Sequence, residues 1–240
     1  MRNLISNPSV AQGARFLQKH YDLLLAKVNG NKTLLPDVAT ILDDIYGCGE
    51  FGCVWPVGDG KQVLKLSIND GSMDIIKALI KRPLPGLPKY HKIVVLEAPL
   101  ARTKMRIPGI DETQTLGIWR ENIFNVGHMP PTLQEACRLY TNALVMFINT
   151  IKFFNKGKLS ANRVTERLEI FGKTIHDVSL ASAGGPIYDG IIKCMIEHQV
   201  VLSDLHSGNT GQNSKGEWIV FDPIFYPFDG ALCDKLLEYA

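Results

Sequence analysis

The chain has 240 residues, enough for one large domain or for two smaller units. Its 26 Lys and Arg residues nearly balance 24 Asp and Glu residues, and no segment is rich in Lys or Arg, so direct nucleic-acid binding is not expected. No apolar run is long enough to cross a bilayer and the first residues lack the apolar core of a signal peptide, which predicts a cytoplasmic protein without membrane contact.

Helical and extended patterns alternate along the first half of the chain. Apolar residues recur at helical spacing over 9–29, which predicts an amphipathic helix, and a shorter helix is predicted over 37–47. Over 47–68, glycines and short apolar runs predict a Gly-rich turn and a β-hairpin. The segment 72–82 predicts a short helix, which PLPGLP interrupts, and KIVVLEA predicts a further buried strand.

The second half is predicted to be mainly helical. Gly and Pro residues interrupt 102–131, which predicts a connector with at most one strand near GIWRENIFNV. Three helical patterns follow, at 132–154, 161–178 and 187–198. The runs VVL and WIVFD predict two strands, and 231–240 predicts a final helix. The five cysteines are scattered and form no CxxC pair, which predicts reduced thiols and argues against a zinc site.

The segment GCGEFGCV matches the pattern GxGxxGxV through Gly47, Gly49, Gly52 and Val54. Glycine lacks the Cβ atom that would hold an anion away from the backbone amides, so such a turn suits phosphate binding. A helix pattern precedes these glycines and two strand patterns follow, which is the wrong context for a Rossmann dinucleotide site. An ordinary hairpin entry is the alternative interpretation.

Four polar residues further along the chain fit phosphoryl transfer. Lys65 stands alone in the apolar strand QVLKLS, where it points either toward a ligand or simply to solvent. Asp204 and Asn209 follow the buried run VVL, and Asp222 ends the strand WIVFD. Transfer of phosphate from ATP needs a carboxylate near the acceptor, oxygen ligands for magnesium and a cation on the phosphates. A purely structural, hydrogen-bonded loop remains the alternative.

In this order, GxGxxGxV, the strand lysine, DLHSGN and VFDP resemble the protein-kinase-like superfamily. The DLHxGN form resembles its atypical branch, including aminoglycoside-type phosphotransferases, and is most similar to the early serine/threonine protein kinases of short-tailed coliphages. The likeness covers most of residues 47–225 in separate blocks. It implies an α+β, two-lobed kinase-like fold with a small antiparallel N-lobe sheet and a reduced helical C-lobe.

The resemblance also implies a role for each site residue. Lys65 would hold the α and β phosphates of ATP, and Asp204 would orient the acceptor hydroxyl and take its proton. Asn209 and Asp222 would bind Mg²⁺, with Mn²⁺ as a substitute. His206 would assist at the transferred phosphate, although a loop histidine satisfied by hydrogen bonds is the simpler interpretation.

Further implications concern the adenine site and the departures from the family pattern. Glu97 and Ala98 would form the hinge that meets adenine through backbone groups. Pro223 stands where the family has the Phe of DFG, and the segment 72–82 contains no Glu to pair with Lys65, which leaves Asp74 as the acidic candidate.

The predicted organisation is a helical extension at 1–35, an N-lobe at 36–101, a connector at 102–131 and a C-lobe at 132–240. The expected function is an ATP- and magnesium-dependent serine/threonine kinase, encoded by a phage and acting on host bacterial proteins, for which the resemblance indicates transcription or translation machinery. A small-molecule phosphotransferase and a nucleotide-binding pseudokinase are the alternatives.

Overall fold

The computed structural model describes residues 8–39, 41, 47–49, 52–100, 111–124, 129–180, 185–204 and 207–227. The chain divides into two compact units. Unit 1 comprises Met1–Pro83 and Lys89–Asn122, and unit 2 comprises Leu84–Pro88 and Ile123–Ala240. Both α-helices and antiparallel β-structure are present, which confirms the α+β class.

Unit 1 is built around an antiparallel sheet of five strands in the order β1-β2-β3-β5-β4. Its elements are α1 (Pro8–Lys27), a short 3-10 helix (Lys32–Leu34), β1 (Gly47–Cys48), β2 (Gly52–Val57), β3 (Gln62–Asn69), α2 (Met73–Lys81), β4 (Tyr90–Leu96) and β5 (Asp111–Glu121). The strands and helices predicted from 9–29, 47–68, 72–82 and KIVVLEA are therefore confirmed.

Helix α1, which falls in the helical extension predicted at 1–35, packs within unit 1. Its apolar face, including Leu17 and Leu24, lies in one buried cluster with Trp55 of β2 and Trp119 of β5. The indole nitrogen of Trp119 also donates a hydrogen bond to the carbonyl of Leu34, which ties the segment after α1 to the sheet. Helix α1 thus covers one face of the sheet within unit 1.

A strand is present in the central part of the predicted connector 102–131, overlapping the one expected near GIWRENIFNV. Strand β5 occupies 111–121 and lies inside the sheet, paired with β3 on one side and β4 on the other. Residues 116–120 are all buried, so the strand shows no polar and apolar alternation. Gly117 brings the backbone of β5 close to α1, since a Cβ atom there would lie 3.4 Å from Leu24.

The helix predicted over 37–47 is not found where the segment is described. Residues 38, 39 and 41 lie in turns, and Gly47 already begins β1. The remaining positions of that prediction, 40 and 42–46, lie outside the described residues.

The PLPGLP segment follows the end of α2, as predicted, and its residues 84–88 belong to unit 2. The amide of Val220 donates a hydrogen bond of 2.9 Å to the carbonyl of Gly86. A Cβ atom built at Gly190 would lie 1.6 Å from the carbonyl oxygen of Pro85, so helix and loop backbones touch there. Residues 84–88 therefore interrupt the N-lobe that was predicted over 36–101.

Unit 2 contains three long helices followed by short strands. These are α3 (Pro131–Asn155), α4 (Ala161–Leu180), α5 (Gly185–His198), β6 (Val200–Ser203), a 3-10 turn (Ser207–Asn209), β7 (Thr210–Gln212), β8 (Trp218–Val220) and β9 (Ile224–Pro227). Strand β6 pairs with β9, and β7 pairs with β8.

Aromatic side chains join the first two helices of unit 2. The rings of Phe147 on α3 and Phe171 on α4 stack with centroids 4.7 Å apart, and Tyr140 lies 6.2 Å from Phe171. The three predicted helices are confirmed, whereas the final helix predicted over 231–240 lies outside the described residues. None of the described helices combines the length and apolar character needed to cross a membrane.

Candidate functional site

The Gly-rich segment forms a tight β1–β2 turn in which one glycine is required by the fold. The amide of Gly49 donates a hydrogen bond of 2.8 Å to the carbonyl of Gly52. A Cβ atom at Gly52 would lie 2.1 Å from the carbonyl oxygen of Leu66, far inside contact distance. Glycine at position 52 is therefore explained by the close approach of β2 and β3.

The two earlier glycines of the turn have no such explanation. No described atom lies within 4 Å of a Cβ atom built at Gly47 or Gly49, and neither residue has the left-handed φ that favours glycine. Open space beside a backbone amide is what an approaching anion requires. Both the phosphate-binding role and an ordinary hairpin entry therefore stay open for these two positions.

Two cysteines flank the tip of this turn and form a disulfide, so the expectation that all thiols are reduced is wrong. Antiparallel pairing of β1 and β2 sets Cys48 directly opposite Cys53, with Cα atoms 4.1 Å apart. The disulfide also contacts α1, since a Cβ atom at Gly13 would lie 2.5 Å from the Cys53 sulfur. Cys137 and Cys194 are buried cysteines outside this disulfide.

Lys65 lies in the middle of the sheet, on the face opposite to α1. Its neighbours Leu64 and Leu66 are fully buried in the cluster with α1, so alternation along β3 directs Lys65 to the other face. Its cross-strand neighbours are Val54 on β2 and Ile118 on β5, and its side chain is half-buried. The side chain of Lys65 is therefore less exposed than that of an ordinary solvent-facing lysine on a strand.

The acidic candidate for pairing with Lys65 is engaged elsewhere. Asp74 accepts a hydrogen bond of 3.3 Å from the Nζ atom of Lys77, one turn along α2, and 86% of its side chain is exposed. This is an ordinary i,i+3 pair on a helix surface.

Glu97 and Ala98, the predicted hinge residues, lie in unit 1. They follow β4, and the chain passes into unit 2 again after Asn122. The carboxylate of Glu97 accepts a hydrogen bond from the Gln114 side chain, and the carbonyl of Ala98 accepts one from Thr115. Contact of these residues with adenine stays a prediction.

In unit 2, the loop after β6 brings two predicted site residues into direct contact. Asp204 is exposed and has a φ of 66°, a left-handed conformation that is uncommon outside glycine. The amide nitrogen of Asn209 donates to the Asp204 carboxylate at 2.7 Å and to its backbone carbonyl at 3.0 Å. Backbone conformations of this kind cluster at active sites and persist only where surrounding contacts fix them.

The β7–β8 hairpin brings the third residue to the same place. Strand pairing sets Thr210 opposite Val220, and the amide of Phe221 donates a hydrogen bond of 3.0 Å to the carbonyl of Asn209. Asp222 is the next residue, so it lies beside Asn209 although twelve residues intervene in sequence. His206, the remaining candidate, lies outside the described residues.

This loop carries oxygen atoms of the kind that bind hard cations. The Asn209 nitrogen donates to the Asp204 carboxylate, and the second polar atom of that amide is the oxygen Oδ1. Hard oxygen ligands in small number suit Mg²⁺, which keeps water and phosphate oxygens as its other ligands. Within the described ranges no three His, Cys, Asp or Glu side chains converge as metal ligands.

One buried contact of this loop was missed at the sequence level. The hydroxyl of Tyr140, on α3, donates a hydrogen bond of 2.9 Å to the carbonyl of Leu202, two residues before Asp204. The only signal in the sequence is a tyrosine on the buried face of a helix, and such a tyrosine usually needs a partner for its hydroxyl.

No protein-family model matches the chain, and no curated protein matches it. Function is therefore inferred from the geometry and the chemistry of the residues themselves.

Proposed function

We propose that the protein is an ATP- and Mg²⁺-dependent phosphotransferase that acts as a serine/threonine protein kinase with a kinase-like, two-lobed fold. The observation that carries this proposal is the side-chain hydrogen bond from Asn209 to Asp204, with the backbone of Phe221, next to Asp222, bonded to Asn209. An exposed carboxylate beside an oxygen-donor pair is the arrangement that phosphoryl transfer to a hydroxyl needs.

Each of these side chains has a separate task. Asp204 is exposed, so its carboxylate can accept a hydrogen bond from an acceptor hydroxyl and receive the proton. The Asn209 amide holds that carboxylate in place through its nitrogen and offers its oxygen to the cation. Asp222 supplies the negatively charged ligand. Mg²⁺, when bound, neutralises the charge that develops on the phosphate oxygens.

Unit 1 contributes the groups that suit a nucleotide. Lys65 is a half-buried cation whose sheet neighbours Val54 and Ile118 are apolar, so its charge is less screened than that of an exposed lysine. The open backbone at Gly47 and Gly49 supports phosphate binding. We assign Lys65 to the α and β phosphates of ATP.

The acceptor and the cellular context are proposed from sequence resemblance. The likeness to early kinases of short-tailed coliphages favours bacterial host proteins, including transcription or translation machinery, as substrates, and the host cytoplasm as the site of action. Retention of Lys65, Asp204, Asn209 and Asp222 favours turnover over a purely binding role as a pseudokinase.

The proposal is tested by transfer of labelled γ-phosphate from MgATP, with the purified protein alone and with bacterial extract. We expect labelled protein bands with wild type, and loss of at least about a hundredfold in rate for Asp204→Asn and Asp222→Asn. Asp177→Asn is the matched control, because Asp177 is an exposed carboxylate on α4, with 79% of its side chain accessible.

The possible outcomes separate the alternatives. Label in small molecules only would identify a small-molecule phosphotransferase, and ATP binding without any transfer would identify a pseudokinase. Transfer by Asp204→Asn at the wild-type rate would refute the role given to that residue.

A further inference from the structure

The backbone at Asp204 needs contacts that hold it in place. Asp204 has a left-handed φ of 66°, which Asp adopts more readily than most residues with a side chain but which neighbouring contacts still stabilise. On the C-terminal side, the Asn209 amide donates to the Asp204 carbonyl at 3.0 Å. On the N-terminal side, the chain is fixed by contacts of strand β6.

Strand β6, which leads to Asp204, has strand pairing to only one neighbour in the described part of unit 2. Its partner is β9, with Leu202 opposite Phe225. The carbonyl of Leu202 accepts a hydrogen bond of 2.9 Å from the Tyr140 hydroxyl, which comes from α3. A side chain of the helical layer thus holds the strand two residues before Asp204.

The buried environment of Tyr140 fixes the orientation of its ring and keeps its hydroxyl protonated. The residue is 0% exposed and packs near Phe171 of α4, so its ring cannot turn toward water. Burial, and to a smaller extent the neighbouring Cys194 thiol, raises the pKa of the Tyr140 phenol far above its ordinary value. The hydroxyl therefore stays protonated and remains a donor.

We propose that Tyr140 is a positioning residue for Asp204. Its hydroxyl anchors Leu202 to α3, and together with the Asn209 amide it confines the backbone between them, so that the Asp204 carboxylate is held where a substrate hydroxyl meets it. The inference rests on the proposed phosphotransferase function, but the anchoring itself can be measured without activity.

The test compares two buried hydroxyls on the same helix. Tyr140→Phe removes the hydroxyl that donates to Leu202 and keeps the aromatic ring. Thr150→Val is the matched control, because Thr150 is 4% exposed and its hydroxyl donates at 2.7 Å to the carbonyl of Met146, within α3 itself. We expect kcat to fall about tenfold or more in Tyr140→Phe with little change in the KM for ATP, because misplacement of a catalytic group lowers the rate without removing ATP contacts. Thr150→Val should retain the wild-type kcat.

Backbone amide exchange supplies the readout that is independent of activity. The amides of residues 202–204 and 207–209 should exchange faster in Tyr140→Phe than in Thr150→Val at equal global stability. Unchanged exchange in this segment, or equal losses of kcat in the two variants, would overturn the proposal. If wild type transfers no phosphate, the proposed function fails, and the exchange comparison still decides whether Tyr140 anchors the loop.

A measurement on the wild-type chain tests the Tyr140 hydrogen bond even if the Tyr140→Phe variant does not fold. A buried tyrosine hydroxyl proton in a stable hydrogen bond exchanges slowly enough to be observed by NMR. Slow exchange of the Tyr140 hydroxyl supports the anchor, and exchange as fast as that of an exposed tyrosine overturns it.

Discussion

Substitution of the glycines in the β1–β2 turn separates the needs of the fold from those of a ligand. In Gly52→Ala, the new Cβ atom would lie 2.1 Å from the carbonyl oxygen of Leu66 and 2.9 Å from the Cα atom of Ser67, whereas real contacts of a Cβ atom stay beyond 3.0 Å. Strands β2 and β3 must therefore move apart by about 1 Å, which lengthens adjacent ladder hydrogen bonds beyond their useful range.

The expected cost follows from the loss of strand pairing. Two weakened backbone hydrogen bonds at about 1 kcal/mol each, with the strain of overpacking, lower the free energy of unfolding by about 2–3 kcal/mol. For a chain of this size the melting temperature should fall by about 4–12 °C. Circular dichroism during heating and urea titration measures both quantities.

Gly49→Ala is the matched substitution three residues earlier. No described atom lies within 4 Å of the added methyl group, so the free energy of unfolding should stay within about 1 kcal/mol of wild type. Affinity for MgATP should nevertheless fall about tenfold, as expected if one amide–phosphate hydrogen bond of about 1.4 kcal/mol is lost. Titration calorimetry checks this.

Two results would refute this explanation of the turn. Equal destabilisation by Gly49→Ala and Gly52→Ala would contradict the turn geometry. Wild-type stability and wild-type ATP affinity in Gly49→Ala would show that the open backbone at this position does not serve a phosphate.

Three further predictions concern other parts of the molecule. Gly190→Ala sets a Cβ atom 1.6 Å from the Pro85 carbonyl oxygen. It should lower the free energy of unfolding, measured by urea titration, by about 3 kcal/mol. An unchanged free energy of unfolding would contradict the contact of α5 with PLPGLP. Reduction of the Cys48–Cys53 disulfide should lower the free energy of unfolding by roughly 2 kcal/mol. Dithiothreitol should therefore lower the melting temperature of the wild type to that of the variant with both cysteines replaced by Ser. It should leave the melting temperature of that variant unchanged. Burial, with a smaller effect of the Glu197 charge, raises the pKa of the Cys194 thiol to about 12, so the folded state keeps a neutral thiol that the unfolded chain ionises near pH 9. The contribution of this thiol to stability is therefore complete below about pH 9 and is lost as the pH rises toward 12. In Cys194→Ala, the melting temperature should fall less steeply at alkaline pH than in the wild type. An unchanged profile would count against the raised pKa of the Cys194 thiol.

Local periodicity was sufficient for much of the secondary structure. The helical spacing of apolar residues in α3 and α4 identified both helices, because burial of one stripe dictates a period of 3.6 residues. In β3, the leucines on either side of Lys65 showed that this side chain lies on the face away from the core, since alternation is a property of the strand itself.

Strand β5 shows where local patterns were insufficient. Its residues 116–120 are buried on both faces, so the alternation that marks a half-exposed strand is missing. Its place between β3 and β4 depends on partners far away in sequence. The Cys48–Cys53 pair was missed for a similar reason, because only the register of β1 and β2 sets the two residues opposite each other.

For the candidate site, the sequence by itself determined the chemical groups and their order along the chain: a glycine-rich turn, Lys65, Asp204, Asn209 and Asp222. Only the tertiary structure decided that the β7–β8 hairpin sets Asp222 beside Asn209 and that Tyr140, 62 residues away in sequence, holds the strand before Asp204. The physical reason is the distance along the chain over which each property is determined. Side-chain chemistry and periodicity depend on a residue and its nearest neighbours, whereas pairing and burial depend on which distant segments share one core.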